Sequence, residues 1–246
     1  MTVPYWDWTK DQSTDPKVNH LWRDYFLGGD GNPEEHQFVS SGPFAYWPLP
    51  WGAKALRLSR KLGNSSSLPT ASQMEDALHI VPFDLPSYRS NRTLNPIATF
   101  RKTLDGSVPL PWWPESTAGY MHNRVHGWVC AFSVFGHSAV LITVQVGGEM
   151  STTASPNDPL FFLHHCYVDK MWTKWIELHP EEEPYLPLTG GPLGTNIYEP
   201  LFPFDGLHNV DEYDFAYQYQ RITSGGQVVR IQDVVKPTQN LGYVYA

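Results

Sequence analysis

The chain has 246 residues, 41% of them hydrophobic, and a formal net charge of −8 at pH 7. This length fits one sizeable core, and the acidic balance excludes the basic surface that nucleic-acid binding requires. No basic segment followed by an apolar stretch opens the chain, and no apolar run of about eighteen residues occurs in it, so neither a signal peptide nor a membrane span is predicted. The 14% aromatic content and 22 prolines favour a loop-rich protein with a ring-built core and small-molecule partners.

Predicted helices are few and separated by long irregular segments. Glycine and proline punctuate the first hundred residues too densely for long elements. Short helices are predicted at residues 73–80 and 96–104, and a buried helix is indicated where Met121, Val125 and Trp128 share one helical face. These patterns predict a mainly α fold.

The strongest helical pattern covers residues 159–177. Ser155 precedes it as a candidate N-cap, and Pro156 and Asp158 follow in positions typical of a first turn. Beyond this helix, alternating residues at 213–219 and 227–235 predict short strands.

Histidines on the two best helices point to a metal site. His122 and His126 are four residues apart, which places both imidazoles on one helical face. The adjacent pair His164 and His165 offers a third ligand, and only one of the two faces the metal because successive helix residues diverge by about 100°. Imidazole ligands favour copper or zinc over magnesium or calcium, which prefer oxygen.

Two other interpretations of these histidines stay open. An HxxxH pair alone is weak evidence, since most such pairs are ordinary polar residues at a helix edge. A zinc hydrolase would use the same three imidazoles, but no glutamate stands beside the pair as the HExxH mechanism requires.

Four segments resemble motifs of the tyrosinase family and occur in that family's order. They are PYWDWT, MHNRVHGWV, SPNDPLFFLHHCYVDKMW and the closing LGYVY. The segments NHLW, GGDG and GPF are similar to those of short bacterial and fungal tyrosinases. The resemblance covers nearly the whole chain. It implies a helical bundle that holds two copper ions, binds dioxygen between them, and oxidises phenols to catechols and catechols to quinones.

The resemblance also implies roles for individual residues. Copper ligands fall on His122, His126 and His165, and His164 becomes a neighbour of the ligands. Asn123 and Asp105 match positions where the family holds a water that helps to deprotonate a monophenol. Asp105 is one methylene shorter than the family's glutamate. The shorter side chain is expected to move that water and so to impair hydroxylation of monophenols. Gly127 would leave the entrance of the substrate site open.

Asp169 follows His165 by four residues on the same helical face. It would either orient an imidazole, as carboxylates beside metal ligands do, or form a surface ion pair with Lys170 or Lys174. The remaining histidines of the loops are expected to be surface or capping residues: His20, His36, His79, His179 and His208.

The resemblance implies two departures from the family. The family's first copper site precedes the YWDW motif, near which this chain begins, so one of the two copper sites is expected here. The oxidase would then be inactive or impaired unless another chain donates the first site. The alternative is a single-copper or metal-free binding fragment without oxidase activity.

The second departure is an insert at residues 130–146, where the family passes directly from WV to GGxM. This insert is either a gene-model error or a genuine β-hairpin, and His137 within it is not expected to bind metal. The expected organisation is therefore one partial tyrosinase copper-binding domain over residues 1–246.

Overall fold

The computed structural model describes residues 1–12, 15, 19–49, 57–63, 67–88, 97–114, 120–129, 149–151, 155–192, 195–201 and 229–245. The helices in these ranges are α1 Ala71–Leu78, α2 Phe100–Asp105, α3 Met121–Trp128, α4 Leu160–Leu178 and α5 Ile231–Val234. Short 3-10 helices lie at Trp8–Lys10, His20–Trp22, Pro33–Glu35, Glu149–Ser151, Ser155–Asn157 and Thr238–Leu241. The predicted mainly α fold with long irregular segments is confirmed. The insert expected at 130–146 lies outside the described residues.

Two short strands join the ends of the described chain. β1 Thr2–Val3 pairs in parallel with β2 Val244–Tyr245, with Thr2 opposite Val244. The amino group of Met1 also donates to the Gly242 carbonyl at 3.1 Å. This pairing fixes the start of the YWDW segment beside the closing tyrosines.

The strand predicted at residues 227–235 is wrong where α5 forms. The side chain of Asp233 accepts a hydrogen bond from the backbone N–H of Arg230 at 2.8 Å, which caps the first turn of α5. A local cap of this kind stabilises a helical turn despite the alternating sequence. The strand predicted at residues 213–219 lies outside the described ranges.

α4 is the central helix of the core. Leu160, His164, Tyr167, Met171 and Trp175 recur at intervals of three or four residues, and all five are buried. The Trp175 ring stacks on Phe100 of α2 with ring centroids 4.7 Å apart, and its indole N–H donates to the Ile80 carbonyl at 2.8 Å. The long helix predicted at 159–177 is therefore confirmed.

The start of α4 differs from the prediction. Residues Ser155–Asn157 form a separate 3-10 turn, so Ser155 is not the N-cap. Pro159 is the N-cap, and the preceding Asp158 accepts a hydrogen bond through Oδ1 from the Leu160 N–H of the first turn at 2.9 Å. The same carboxylate binds the fully buried guanidinium of Arg60, with Nε 2.7 Å from Oδ2. This ion pair attaches the irregular segment around residue 60 to the first turn of α4.

Within the described ranges, none of the helices combines the length and apolar composition needed to cross a bilayer.

Candidate metal centre

Three imidazoles converge between α3 and α4. The Nε2 atoms of His122 and His126 are 3.0 Å apart, and the Nε2 atom of His165 lies 3.3 Å from His122 and 3.4 Å from His126. Three nitrogens bound at about 2.0–2.1 Å to one tetrahedral ion would be about 3.3–3.4 Å apart. The spacing therefore fits a single metal ion held by three nitrogens.

Backbone carbonyls determine the tautomers of two of these imidazoles. His126 Nδ1 lies 2.5 Å from the Met150 carbonyl oxygen, and His122 Nδ1 lies 3.3 Å from that of Asp105. A carbonyl oxygen only accepts, so each Nδ1 carries and donates the proton, and each Nε2 presents a lone pair. Lone pairs that face each other at this distance repel unless a cation lies between them. The cluster is therefore able to hold a cation.

Burial keeps the cluster neutral. Burial and the neighbouring His122 lower the pKa of His126 to about 4. Burial, followed by the two neighbouring imidazoles, lowers the pKa of His165 to about 3. Burial also lowers the pKa of His122, against smaller raising effects of Asp105 and Asn123. Neutral imidazole is the form that binds metal, so the site is ready at neutral pH.

Gly106 places the end of α2 against the start of α3. It ends α2 with a left-handed φ of +91°, and a Cβ built at this position would lie 1.8 Å from the Tyr120 carbonyl oxygen. The Tyr120 N–H donates to the Gly106 carbonyl at 3.2 Å. Glycine is required for this close approach, which carries the Asp105 carbonyl to His122.

His164 lies beside the three converging imidazoles. Ring nitrogens of all four histidines come within 4.8 Å of one another, and the His164 ring is nearly parallel to that of His122 with centroids 5.1 Å apart. His164 Nδ1 lies 3.2 Å from the indole Nε1 of Trp8. The spacing of the histidines in the sequence did not predict the contact between Trp8 and His164. The only sequence feature that pointed to Trp8 was its place in the PYWDWT motif.

Asp169 anchors β2 to α4. Its Oδ2 accepts a hydrogen bond from the Tyr243 hydroxyl at 2.7 Å and another from the Tyr245 hydroxyl. Burial and this carboxylate raise the pKa of Tyr243 to about 12. Lys170, an ion-pair candidate for Asp169, donates to the Tyr5 hydroxyl at 2.5 Å. The imidazole-orienting role of Asp169 stays a prediction.

A cavity of about 530 Å³ opens on the cluster. Asp105, His122 and His165 reach this cavity, and Arg101 and Asp169 are the other charged residues of its wall. The rest of the wall is aromatic or aliphatic: Phe83, Phe100, Leu104, Val168, Trp172 and Tyr185. Asn123 is exposed on α3 and Gly127 is half-buried after His126. Their roles at the water and at the entrance stay predictions.

Comparison with known proteins identifies the family. Residues 1–178 match the family described as the common central domain of tyrosinase. The chain belongs to the tyrosinase family. Membership implies copper, and the histidine cluster is able to hold a metal ion. The resemblance carried by the sequence motifs is thereby confirmed.

Two bacterial relatives of this tyrosinase-family chain are longer than it is. It is 35% identical over 211 residues to the tyrosinase of Streptomyces antibioticus, which covers 83% of this chain and 64% of that protein. It is 31% identical over 241 residues to the grixazone synthase of Streptomyces griseus, covering 89% and 71% respectively. The chain thus spans about two thirds of the length of these relatives.

A solved structure shares the fold. Aspergillus oryzae pro-tyrosinase superposes with a TM-score of 0.53 at 18% identity, over 99% of this chain and 48% of that chain.

Proposed function

We propose that His122, His126 and His165 bind one copper ion through their Nε2 atoms, and that the site oxidises phenolic compounds with dioxygen. The convergence of three Nε2 atoms at 3.0–3.4 Å in a tyrosinase-family chain carries this proposal. When bound, copper would supply the redox chemistry between the phenol and dioxygen.

The cavity beside the cluster suits a planar phenol. Phe83, Phe100 and Trp172 offer ring surfaces against which a planar aromatic ligand would pack. The Asp105 carboxylate reaches the same cavity, with Oδ1 3.9 Å from His122 Nδ1. It accepts the proton of a phenolic hydroxyl, directly or through a water that it holds with Asn123.

The clustered histidines support one copper for the part of the chain that the structure describes. Among the residues that the structure describes, His122, His126, His164 and His165 form the one group of three or more metal-binding side chains. His79 and His179 instead contact the backbone carbonyls of Glu75 and Leu78. The family's two-copper reaction needs a second set of three imidazoles.

The test is copper content per chain after copper loading of the full chain, combined with oxygen uptake on a catechol. Wild type is expected to hold one copper, and His126→Ala none. His79→Ala is the matched control, because its side chain is 67% exposed and lies outside the cluster, and it should keep the copper. Copper retained by His126→Ala would contradict the site.

A second candidate function is that of a copper-binding fragment without oxidase activity, and the single set of clustered histidines favours it. The oxygen-uptake measurement distinguishes this candidate from the oxidase. Turnover that follows copper content and is lost in His126→Ala assigns oxidation to this site. One bound copper without turnover assigns the chain a binding role.

A further inference from the structure

Four histidines cluster between α3 and α4, yet the proposed copper site uses three of them. His164 is 0% exposed, as is Trp8, whose indole lies against it. We propose that Trp8 determines which three histidines bind the metal, by holding His164 in the one tautomer that cannot ligate through Nε2. The proposal rests on the metal site proposed above.

The hydrogen bond between the two buried side chains has one possible direction. Indole Nε1–H is a donor only, so His164 Nδ1, 3.2 Å away, must accept through its lone pair. A neutral imidazole carries one proton, which then sits on Nε2. His164 Nε2 is buried and makes no regular hydrogen bond in the described part of the chain, and the His122 backbone is a polar group beside this imidazole.

For His122 and His126 the partner at Nδ1 is an acceptor, so the proton sits on Nδ1 and not on Nε2. His122 and His126 donate from Nδ1 to backbone carbonyls, so their Nε2 lone pairs are free for a metal. His164 could bind through Nε2 only after losing its proton, and through Nδ1 only after breaking the bond to Trp8. Hydrogen-bond partners therefore distinguish His164 from the ligands His122 and His126.

Trp8 is held firmly enough for this role. The Trp6 N–H, two residues earlier, donates to the Leu163 carbonyl of α4 at 3.0 Å. The Trp8 ring also packs edge-on against Tyr167, one turn beyond His164, with ring centroids 4.9 Å apart. These contacts fix the indole N–H over His164.

The consequence concerns an open coordination position. Metal sites that react with a substrate keep one position free, whereas sites closed by four protein ligands are structural. A ring nitrogen of His164 lies within 4.8 Å of those of the other three histidines, so in the other tautomer its Nε2 lone pair would be available to a metal bound there. Trp8 is thus a positioning residue that keeps the metal accessible to the cavity.

The test reads the tautomers directly by long-range ¹H–¹⁵N correlation spectra of the full chain labelled at histidine, without and with Zn²⁺. In the metal-free wild type, His164 is expected wholly as the Nε2–H form, and zinc should shift nitrogens of three other histidines only. In Trp8→Phe, His164 should become a tautomer mixture and one of its nitrogens should join the zinc. His164→Gln identifies the signal.

Trp6→Phe is the matched control. It makes the same change in the same segment, but the Trp6 indole donates to Asp11 Oδ2 at 2.6 Å and not to a histidine. Its His164 signal should equal that of wild type. A wild-type His164 protonated on Nδ1, or a His164 unchanged in folded Trp8→Phe, would overturn the proposal.

The wild-type measurement decides the tautomer even if Trp8→Phe fails to fold. A wild type that binds no zinc would contradict the metal site, and the metal-free spectra would still report the tautomer.

Discussion

Removing the charge of Asp158 is expected to destabilise the protein strongly. Asp158 and Arg60 are 0% exposed and form a two-pronged ion pair, with Nη2 2.5 Å from Oδ1 and Nε 2.7 Å from Oδ2. Asp158→Asn keeps the shape of the side chain but leaves the guanidinium buried without a counter-charge. Breaking one partner of such a pair costs about 3–5 kcal/mol, a large part of the roughly 5–15 kcal/mol that stabilises a typical domain.

The measurement is the free energy of unfolding from urea titrations followed by tryptophan fluorescence. The exposed pair Lys10 and Asp7 gives the control, since the atoms are 3.1 Å apart but the Lys10 side chain is 75% exposed. Lys10→Met should change stability little, because exposed ion pairs contribute little. A loss below about 1 kcal/mol in Asp158→Asn would refute the assigned role of the buried pair.

Three further predictions concern the site and its supports. The metal-free protein should lose stability as the pH falls from 7 towards 4, by up to about 1.4 kcal/mol per pH unit for each histidine, because unfolded histidines protonate near pH 6.5. In the folded cluster the pKa is about 4 for His126 and about 3 for His165, so both stay neutral over most of this range. Urea titrations at several pH values should therefore show that the free energy of unfolding changes less steeply with pH in His126→Ala than in wild type. Gly106→Ala should cost at least about 1 kcal/mol and weaken copper binding. Gly190→Ala should cost less, since Gly190 also has a positive φ but nothing lies within 4 Å of a Cβ there. Asp169→Asn should weaken the hydrogen bonds from the Tyr243 and Tyr245 hydroxyls, and the amides of β2 should then exchange hydrogen faster. Unchanged exchange would contradict the role of Asp169 in attaching β2 to α4.

Local periodicity was sufficient to predict the elements that carry the site. The apolar stripe of α4 and the face shared by Met121, Val125 and Trp128 are both buried as expected. The four-residue spacing of His122 and His126 placed both on α3, where the structure has them. These features depend on neighbours within one helix, which a sequence pattern records directly.

The contacts that complete the site depend on residues far apart in the chain. Trp8 and His164 are separated by 156 positions, and Arg60 and Asp158 by 98. No local pattern encodes such pairs. The N-cap candidate Ser155 was wrong because Ser155 lies in a separate 3-10 turn, while Asp158 bonds to the first turn of α4 and to Arg60. The strand predicted near residue 231 was wrong because a side-chain cap outweighed weak alternation.

The three-histidine site is tested most directly by an anomalous difference map from crystals of the full chain loaded with copper. We predict one strong peak between α3 and α4, about 2.0–2.1 Å from the Nε2 atoms of His122, His126 and His165. A peak bonded to His164 in place of His165, or no peak between these helices, would contradict the site.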